Sequence, residues 1–100
     1  MEFTLLSLRT APGRRDDLIA YYRSAGILEA SGALAAQVIV PADEPDTVVV
    51  TALWADADAY DTWQNSPRRE EFAVGMASFF DSADAISTRE FHVAHHSAAQ

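Results

Sequence analysis

Four apolar runs of strand length are spaced along the chain, and polar or turn-forming residues bound each of them. β-Branched and aliphatic side chains dominate the runs, as is typical of β-strands. Ala11-Pro12-Gly13 ends the first run, and Pro41 ends the second. The pattern therefore predicts four strands, at Phe3–Arg9, Ala35–Val40, Thr47–Trp54 and Ala85–Val93.

Helical periodicity occupies the segment between the first two runs. Within Arg14–Ala25, the side chains of Leu18, Tyr22 and Ala25 recur at i, i+4 and i+7 and define one apolar stripe. Gly26 follows directly, and glycine commonly ends helices. The spacing predicts a helix over residues 14–25 that buries Tyr22.

A second helical region follows the third run. Asp56 or Asp58 is positioned to cap its first turn. Such a cap places Tyr60 and Trp63 on one helix face, at i and i+3. We therefore expect the two aromatic side chains to point the same way.

This region is interrupted and then resumes. Ser66 suits an N-cap and Pro67 suits the first helical position, so the pair predicts a new helix start. Phe72 and Met76 then form the apolar stripe of the second piece.

The predicted order of elements is βαββαβ, which is the split, ferredoxin-like arrangement of an α+β fold. Right-handed crossovers then give a four-stranded antiparallel sheet with both helical regions on one face. Residues 1–95 are expected to form a single domain and residues 96–100 a C-terminal tail.

The second face of this sheet is also apolar. Leu5 and Leu6 point to opposite faces, as do Val49 and Val50. Leaving such side chains in water forfeits roughly 1.5–3 kcal/mol each. A second copy of the sheet would cover them, so a homodimer is predicted. The alternative is that central strands are simply apolar on both faces.

Composition narrows the possible chemistry. The 100-residue chain has a net charge of −8 with seven arginines, no lysine and no cysteine. The charge argues against nucleic acid or an anionic membrane as a partner. Lysine and thiolate chemistry and disulfides are excluded. The start of the sequence does not resemble a signal peptide and no run is long enough to span a membrane, so a cytoplasmic protein is expected.

Two segments carry a resemblance to a known family. These are "PGRRDDL" at the first helix and "ALWADADAYDTWQNSP" between the third strand and the second helical region. Across about residues 2–93, the chain resembles the antibiotic biosynthesis monooxygenase (ABM) family of dimeric α+β barrels. The matching positions are Trp54, Asp56, Tyr60, Trp63 and Ser66.

The resemblance implies several possible activities. One branch oxidises phenolic polyketide intermediates to quinones with O₂ and without a metal or flavin, and a second branch binds and degrades heme. Other members are quinol-related enzymes or have no known reaction. The heme branch has an axial histidine where this chain has Ala73, and an asparagine where it has Ser7. The quinone-forming branch has an asparagine at the position of Ala59. Heme degradation is therefore disfavoured, and a cofactor-free monooxygenase is expected.

We expect the substrate pocket to lie between the sheet and the helices. Trp63 would stack on a flat aromatic substrate, and Ser7 or Tyr22 would hold its oxyanion. Arg9 would lower the pKa of the substrate, and His92 would act as a base if its strand face allows. The other predicted wall residues are Phe3, Leu5, Phe72 and Met76, with Phe3, Leu5, Ser7 and Arg9 on one face of the first strand.

Each candidate also has a purely structural interpretation. Trp63 and Tyr22 fit a packed core, and Arg9 fits a solvated strand end. The charged run that includes Arg69 fits a solvated helix face, and His95 and His96 fit a tail rather than a metal site. The rival functions are a non-catalytic small-molecule or heme binder, and a structural dimer with a filled cavity.

Overall fold

One four-stranded antiparallel sheet forms the centre of the computed structural model, which describes residues 1–97. The strands lie in the order β2-β3-β1-β4. The predicted ferredoxin-like α+β fold is confirmed, and the last three residues of the predicted tail lie outside the described residues. The strands are Glu2–Arg9 (β1), Ala35–Ile39 (β2), Thr47–Trp54 (β3) and Ile86–His92 (β4).

Four helices pack over one face of the sheet, at Arg15–Ala25 (α1), Ile27–Ala30 (α2), Ala57–Gln64 (α3) and Pro67–Met76 (α4). Two short 3₁₀ turns follow, at Ala77–Phe79 and Ala83–Ala85. Within residues 1–97, no helix has the length and apolarity needed to cross a membrane.

The helix ends follow local sequence signals. Gly26 ends α1 in the left-handed conformation, with φ at 67°. Asp56 caps α3 by accepting a hydrogen bond from the Ala59 N–H at 2.8 Å. Ser66 caps α4, where Pro67 takes the first helical position. The break between α3 and α4 was therefore correctly predicted. The extra helix α2 was not, because Ile27 is buried by tertiary packing directly after Gly26.

The strand register decides which side chains meet the helices. Leu8 of β1 lies opposite Val48 of β3, and both are buried against Leu18 of α1. By alternation, Thr4 and Leu6 share this helix-facing side. Even-numbered residues of β1 therefore form the floor of the core.

The expected orientation of β1 was wrong. Phe3, Leu5, Ser7 and Arg9 occupy the opposite, outer face of the sheet. The physical reason is that Leu6 and Leu8 give the helix-facing side an apolar centre, whereas the other face would bring Ser7 and Arg9 under the helices. Arg9 is accordingly exposed.

Helix α4 approaches α1 very closely at Gly75. A Cβ atom at this position would overlap the Tyr21 hydroxyl and lie 2.8 Å from Tyr21 Cζ. The Tyr21 ring is held by Phe79, with ring centroids 5.9 Å apart, so it is not free to swing away. Glycine is therefore required by the contact between the two helices.

We predict that Gly75→Ala lowers the free energy of unfolding by about 1–2 kcal/mol, because overpacking outweighs the better helix propensity of alanine. In a Tyr21→Leu background, the shorter side chain removes the overlap, and the same substitution should stabilise the protein by up to about 1 kcal/mol. Urea denaturation of the wild type, Gly75→Ala, Tyr21→Leu and the double variant measures both effects. An equal effect of Gly75→Ala in the two backgrounds would contradict the argument.

Candidate functional site

A cavity of about 150 Å³ lies between the sheet and the helices. Its floor comes from β1 and β3, and its walls come from α1, α2, α3, α4 and β4. A cavity of this size is comparable to one that accepts benzene. It can therefore surround about one ring of a larger flat molecule. The floor residues are Thr4, Leu6, Leu8, Val50, Ala52 and Trp54.

Aromatic side chains make up much of the wall. Trp63 of α3 packs at 42° against Phe72 of α4, with ring centroids 6.3 Å apart. Trp54 and Tyr60 pack at 47° with centroids 5.3 Å apart. Tyr22 of α1 completes the set. The arrangement offers flat faces on which an aromatic ligand can stack.

Two hydroxyl groups at the cavity are left as potential donors. The indole N–H of Trp54 donates to the Thr4 hydroxyl oxygen at 3.0 Å. The amide of Gln64 donates to the Tyr60 hydroxyl oxygen at 3.0 Å. Because each oxygen accepts one of these bonds, its own O–H remains available to donate. Thr4 and Tyr60 can therefore hydrogen-bond an oxygen of a ligand.

The cavity opens between α4 and β4. Four of its lining residues are exposed: Arg69 and Ala73 on α4, and Ile86 and Thr88 on β4. No carboxylate and no histidine lines the described cavity. Arg69 is thus the one charged residue among its described lining residues.

Burial raises the pKa values of the two tyrosines that line the cavity, Tyr22 and Tyr60. Burial raises the pKa of Tyr22 to about 12, and the nearby Arg69 charge opposes this rise. Burial also raises the pKa of Tyr60, with a further contribution from Glu90, while Arg69 again acts in the opposite direction. Both phenols are protonated at neutral pH, so they serve as hydrogen-bond donors and not as bases.

The family profile for antibiotic biosynthesis monooxygenase matches residues 3–75. The chain belongs to the antibiotic biosynthesis monooxygenase family. A comparison with curated proteins finds no match. The matched segment includes three of the four strands and most of the cavity wall.

Solved structures of ABM-type proteins share this fold. A Chloroflexus aurantiacus protein that carries the family name is 22% identical, with a TM-score of 0.73 over 97% of this chain and 98% of the other. A Caulobacter crescentus protein of the same name is 15% identical, with a TM-score of 0.80 over 94% and 90%. SnoaB, a cofactor-independent oxygenase from Streptomyces nogalater, is 18% identical, with a TM-score of 0.72 over 95% of each chain.

Four of the predicted site residues meet in the cavity of this ABM chain. Trp63, Tyr22, Phe72 and Met76 all line it. They come from three different helices, which the break at Ser66 brings together. Their roles toward a ligand remain predictions.

The other predicted site residues lie elsewhere. Ser7, Phe3, Leu5 and Arg9 are on the outer face of the sheet, away from the cavity. The expectation that they line the pocket was wrong, because a strand presents alternate residues to opposite faces.

His92 is also absent from the cavity lining. It lies at the end of β4 in the same row as Glu2 and Trp54, which belongs to the helix-facing side. Its imidazole is exposed, and Nδ1 lies 2.7 Å from Glu2 Oε1. A surface contact of this kind does not position a base against a ligand in the cavity.

Sequence reasoning missed Thr4, Tyr60 and Arg69 as site residues. A signal was present for each. Thr4 alternates with Leu6 and Leu8, Tyr60 precedes Trp63 by three residues, and Arg69 precedes Phe72 by three. Residues that share a face with apolar neighbours at these spacings belong to the same surface.

The residues of the site do not indicate a metal or heme. Within residues 1–97, no group of three or more histidine, cysteine, aspartate or glutamate side chains is placed to hold a metal ion. Ala73, at the position of the heme-branch histidine, lies at the cavity mouth and offers no ligand atom. The cavity therefore does not fit heme held by a histidine.

A second hollow of about 430 Å³ lies on the outer face of the sheet. Phe3, Thr51 and Leu53 contribute to its floor, and Val93 and His96 contribute from the chain after β4. It has no set of facing aromatic walls, and its position identifies it as part of the apolar sheet face. We therefore assign the candidate site to the smaller cavity.

The raised pKa of Tyr22 predicts a pH dependence of stability. The pKa of Tyr22 is about 12 in the folded chain and 10.0 in the unfolded chain. The contribution of its protonated phenol to the free energy of unfolding is therefore complete below pH 10.0 and is lost as the pH rises toward about 12. The free energy of unfolding should fall by about 1 kcal/mol more in the wild type than in Tyr22→Phe between pH about 9 and about 11. Urea denaturation at several pH values measures the difference.

Phe72→Leu is the matched control, because it alters the packing of the same cavity without removing an ionisable group. In Phe72→Leu, the free energy of unfolding should change with pH as steeply as it does in the wild type. Identical slopes for wild type and Tyr22→Phe would show that the phenol is not protected by burial.

Proposed function

We propose that this ABM protein is a cofactor-independent monooxygenase that oxidises a small phenolic, polyketide-like aromatic compound with O₂. The observation that carries the proposal is the cavity itself, whose described lining combines aromatic walls with hydroxyl donors and has no carboxylate. Such a site suits a flat, apolar molecule that develops negative charge on oxygen.

The chemistry can be written for an anthrone. Its central methylene group loses a proton to water and becomes an enolate. The enolate gives one electron to O₂, and the two radicals combine at the former methylene carbon to a peroxide anion, which takes a proton back from water and becomes a hydroperoxide. Loss of water leaves a carbonyl group there. One atom of O₂ is then in the quinone and the other is in water. The two electrons of the second C–H bond of the former methylene group reduce the O–O bond when water is lost.

The protein's part in this scheme is binding and charge stabilisation. Trp63 would stack on the ring system, and Tyr22 would donate its hydroxyl hydrogen to the enolate oxygen. Thr4 and Tyr60 take the oxyanion role that was expected for Ser7, because Ser7 faces away from the cavity. The closed part of the cavity would limit access of bulk water to the radical pair.

Two kinds of similarity support the proposal without extending to a substrate. The chain belongs to the antibiotic biosynthesis monooxygenase family, and its fold matches that of SnoaB, a cofactor-independent oxygenase. The first agrees with a monooxygenase, and the second agrees with chemistry that asks the protein for no cofactor.

A second candidate function is the binding of a small aromatic molecule without turnover. The observation that favours it is the lack of any carboxylate or histidine in the described cavity lining, so no side chain there is suited to remove a proton. The two candidates share one site and differ only in whether the bound ligand reacts with O₂.

We also propose that two copies of the chain pair through their outer sheet faces. Phe3, Leu5, Val49 and Leu53 are half-buried there, and Ile39 is exposed. The tilted contact of Phe3 with Phe91 extends this apolar face to the edge strand. A two-fold partner would remove these side chains from water, which is favourable in proportion to the area covered.

Oxygen uptake tests the proposed reaction. Metal-stripped protein mixed with the anthrone dithranol should consume O₂ faster than heat-inactivated protein, and Trp63→Phe should reduce that excess roughly tenfold by misplacing the ring system. Product absorbance should show the anthraquinone. Circular dichroism and thermal melting confirm that the variant is folded.

Excess uptake that persists unchanged in folded Trp63→Phe would exclude the cavity as the reaction site. Binding of dithranol without excess uptake would favour the second candidate, and hemin titration then tests for a porphyrin ligand by its visible absorbance.

The pairing of sheet faces has its own test. Light scattering on wild-type protein as it elutes from a size-exclusion column should give a molar mass of about twice the chain mass of 10.9 kDa. Val49→Glu buries a charge in the proposed contact and should shift the mass toward one chain. Val74→Glu, on the exposed side of α4, is the matched control and should leave the mass unchanged. A wild-type protein with the mass of one chain would refute the pairing.

A further inference from the structure

Arg69 lies where the first turn of α4 meets the mouth of the cavity. Its side chain is exposed and belongs to the cavity lining, together with Ala73 one turn further along the helix. The Ser66 cap and Pro67 begin the helix just before it, so its backbone position is well defined. Its charge is felt at both Tyr22 and Tyr60, which places it near the polar part of the cavity.

Four of the other arginines have a side-chain partner. Arg14 contacts Asp17 at 2.8 Å, and Arg15 lies 4.0 Å from Asp16. Arg68 and Arg89 lie over aromatic rings. Within residues 1–97, Arg69 forms no such salt bridge and is the only arginine that lines the cavity.

We propose that Arg69 binds an ionised acidic group on the ligand, so that the preferred ligand is an aromatic carboxylate or phenolate rather than a neutral aromatic compound. The proposal rests on the cavity being the ligand site, as in the proposed function. It goes further by naming the charge of the ligand and the residue that selects it.

Charge distribution supports this choice. The chain carries a net charge of −8, which on average repels anions. The described cavity, however, contains no carboxylate, and its mouth carries one guanidinium. Glu90 acts on Tyr60, whereas Arg69 is the only charged group that acts on Tyr22. An anionic group of a ligand in this cavity would therefore meet Arg69 and no carboxylate among the described lining residues.

The guanidinium also matches the ligand chemistry. It presents parallel N–H donors that pair with both oxygens of a carboxylate, and it keeps its charge at any physiological pH. The adjacent Phe72 and Trp63 would hold the ring while Arg69 holds the acid. The role first expected for Arg9 thus falls to Arg69, because Arg9 is on the outer face.

A matched pair of probes separates charge from shape. 2-Naphthoate is anionic at neutral pH, and 2-naphthamide is a neutral molecule of almost the same shape. Titration of ¹⁵N-labelled protein, followed by the Trp63 indole N–H resonance, gives a Kd for each probe and reports on the cavity. Wild-type protein should bind the naphthoate roughly tenfold more tightly than the amide.

Arg69→Gln should remove this preference by weakening naphthoate binding roughly tenfold while leaving amide binding unchanged. Arg69→Lys should retain part of the preference, because it keeps the charge and loses the two-pronged geometry. Arg68→Gln is the matched control, since Arg68 is the neighbouring cation but does not line the cavity. Raising NaCl from about 0.05 M to about 0.5 M should weaken naphthoate binding only where Arg69 is present.

Several results would overturn the inference. Equal affinity of wild type for the two probes would show that charge is not selected. An equal loss of naphthoate binding in Arg68→Gln and Arg69→Gln would assign the effect to general electrostatics. In both cases the cavity would still be a ligand site and the proposed function would survive. If neither probe moved the Trp63 resonance in wild-type protein, the inference and the ligand site of the proposed function would both fail.

Discussion

The pairing of β1 with both β3 and β4 is the constraint on which the cavity depends. It turns Leu8 toward Val48 and Leu18, and burial of these three side chains commits the whole strand to that face. Once Leu8 is inward, Thr4 is inward as well, and its hydroxyl receives the Trp54 indole hydrogen bond. A shift of β1 by one residue would turn Thr4, Leu6 and Leu8 from the cavity floor to the outer face.

The helical side of the cavity depends on a second feature, the interruption between α3 and α4. A continuous helix would carry Phe72 in the direction of α3. Ser66 and Pro67 instead begin a new axis, and Phe72 returns toward Trp63. Helix α4 contains no fully buried residue, so it forms a partial roof rather than a filled core. This incomplete closure leaves an opening toward β4.

The site is consistent with a protein that supplies surroundings rather than reactive groups. Tyr22 and Tyr60 are protonated at neutral pH, and burial raises their pKa values further. The single cation among the described lining residues, Arg69, stands at the mouth. In a cavity of low polarity, one charge and a few directed hydroxyls have large effects on a bound anion. The net negative charge of the chain repels anions on average, so the cation at the mouth is a local exception to the overall charge.

The sequence by itself determined the order of the four strands and the main helical regions, the helix cap at Ser66, and the presence of Trp63 in the second helical region. These follow from signals within a few residues, such as period, capping side chains and proline geometry. The family resemblance was readable for the same reason, since it rests on a contiguous stretch around Trp54 and Trp63.

Only the tertiary structure decided which face of β1 lies under the helices and which surface charge meets the cavity. Alternation groups Phe3 with Ser7 and Thr4 with Leu8, but it does not state which group is inward. That choice depends on the packing of Leu8 against α1 and β3, which are distant in sequence. Arg69 looks like a solvated helix residue until β4 is placed opposite it, because the role of a surface side chain depends on what faces it across space.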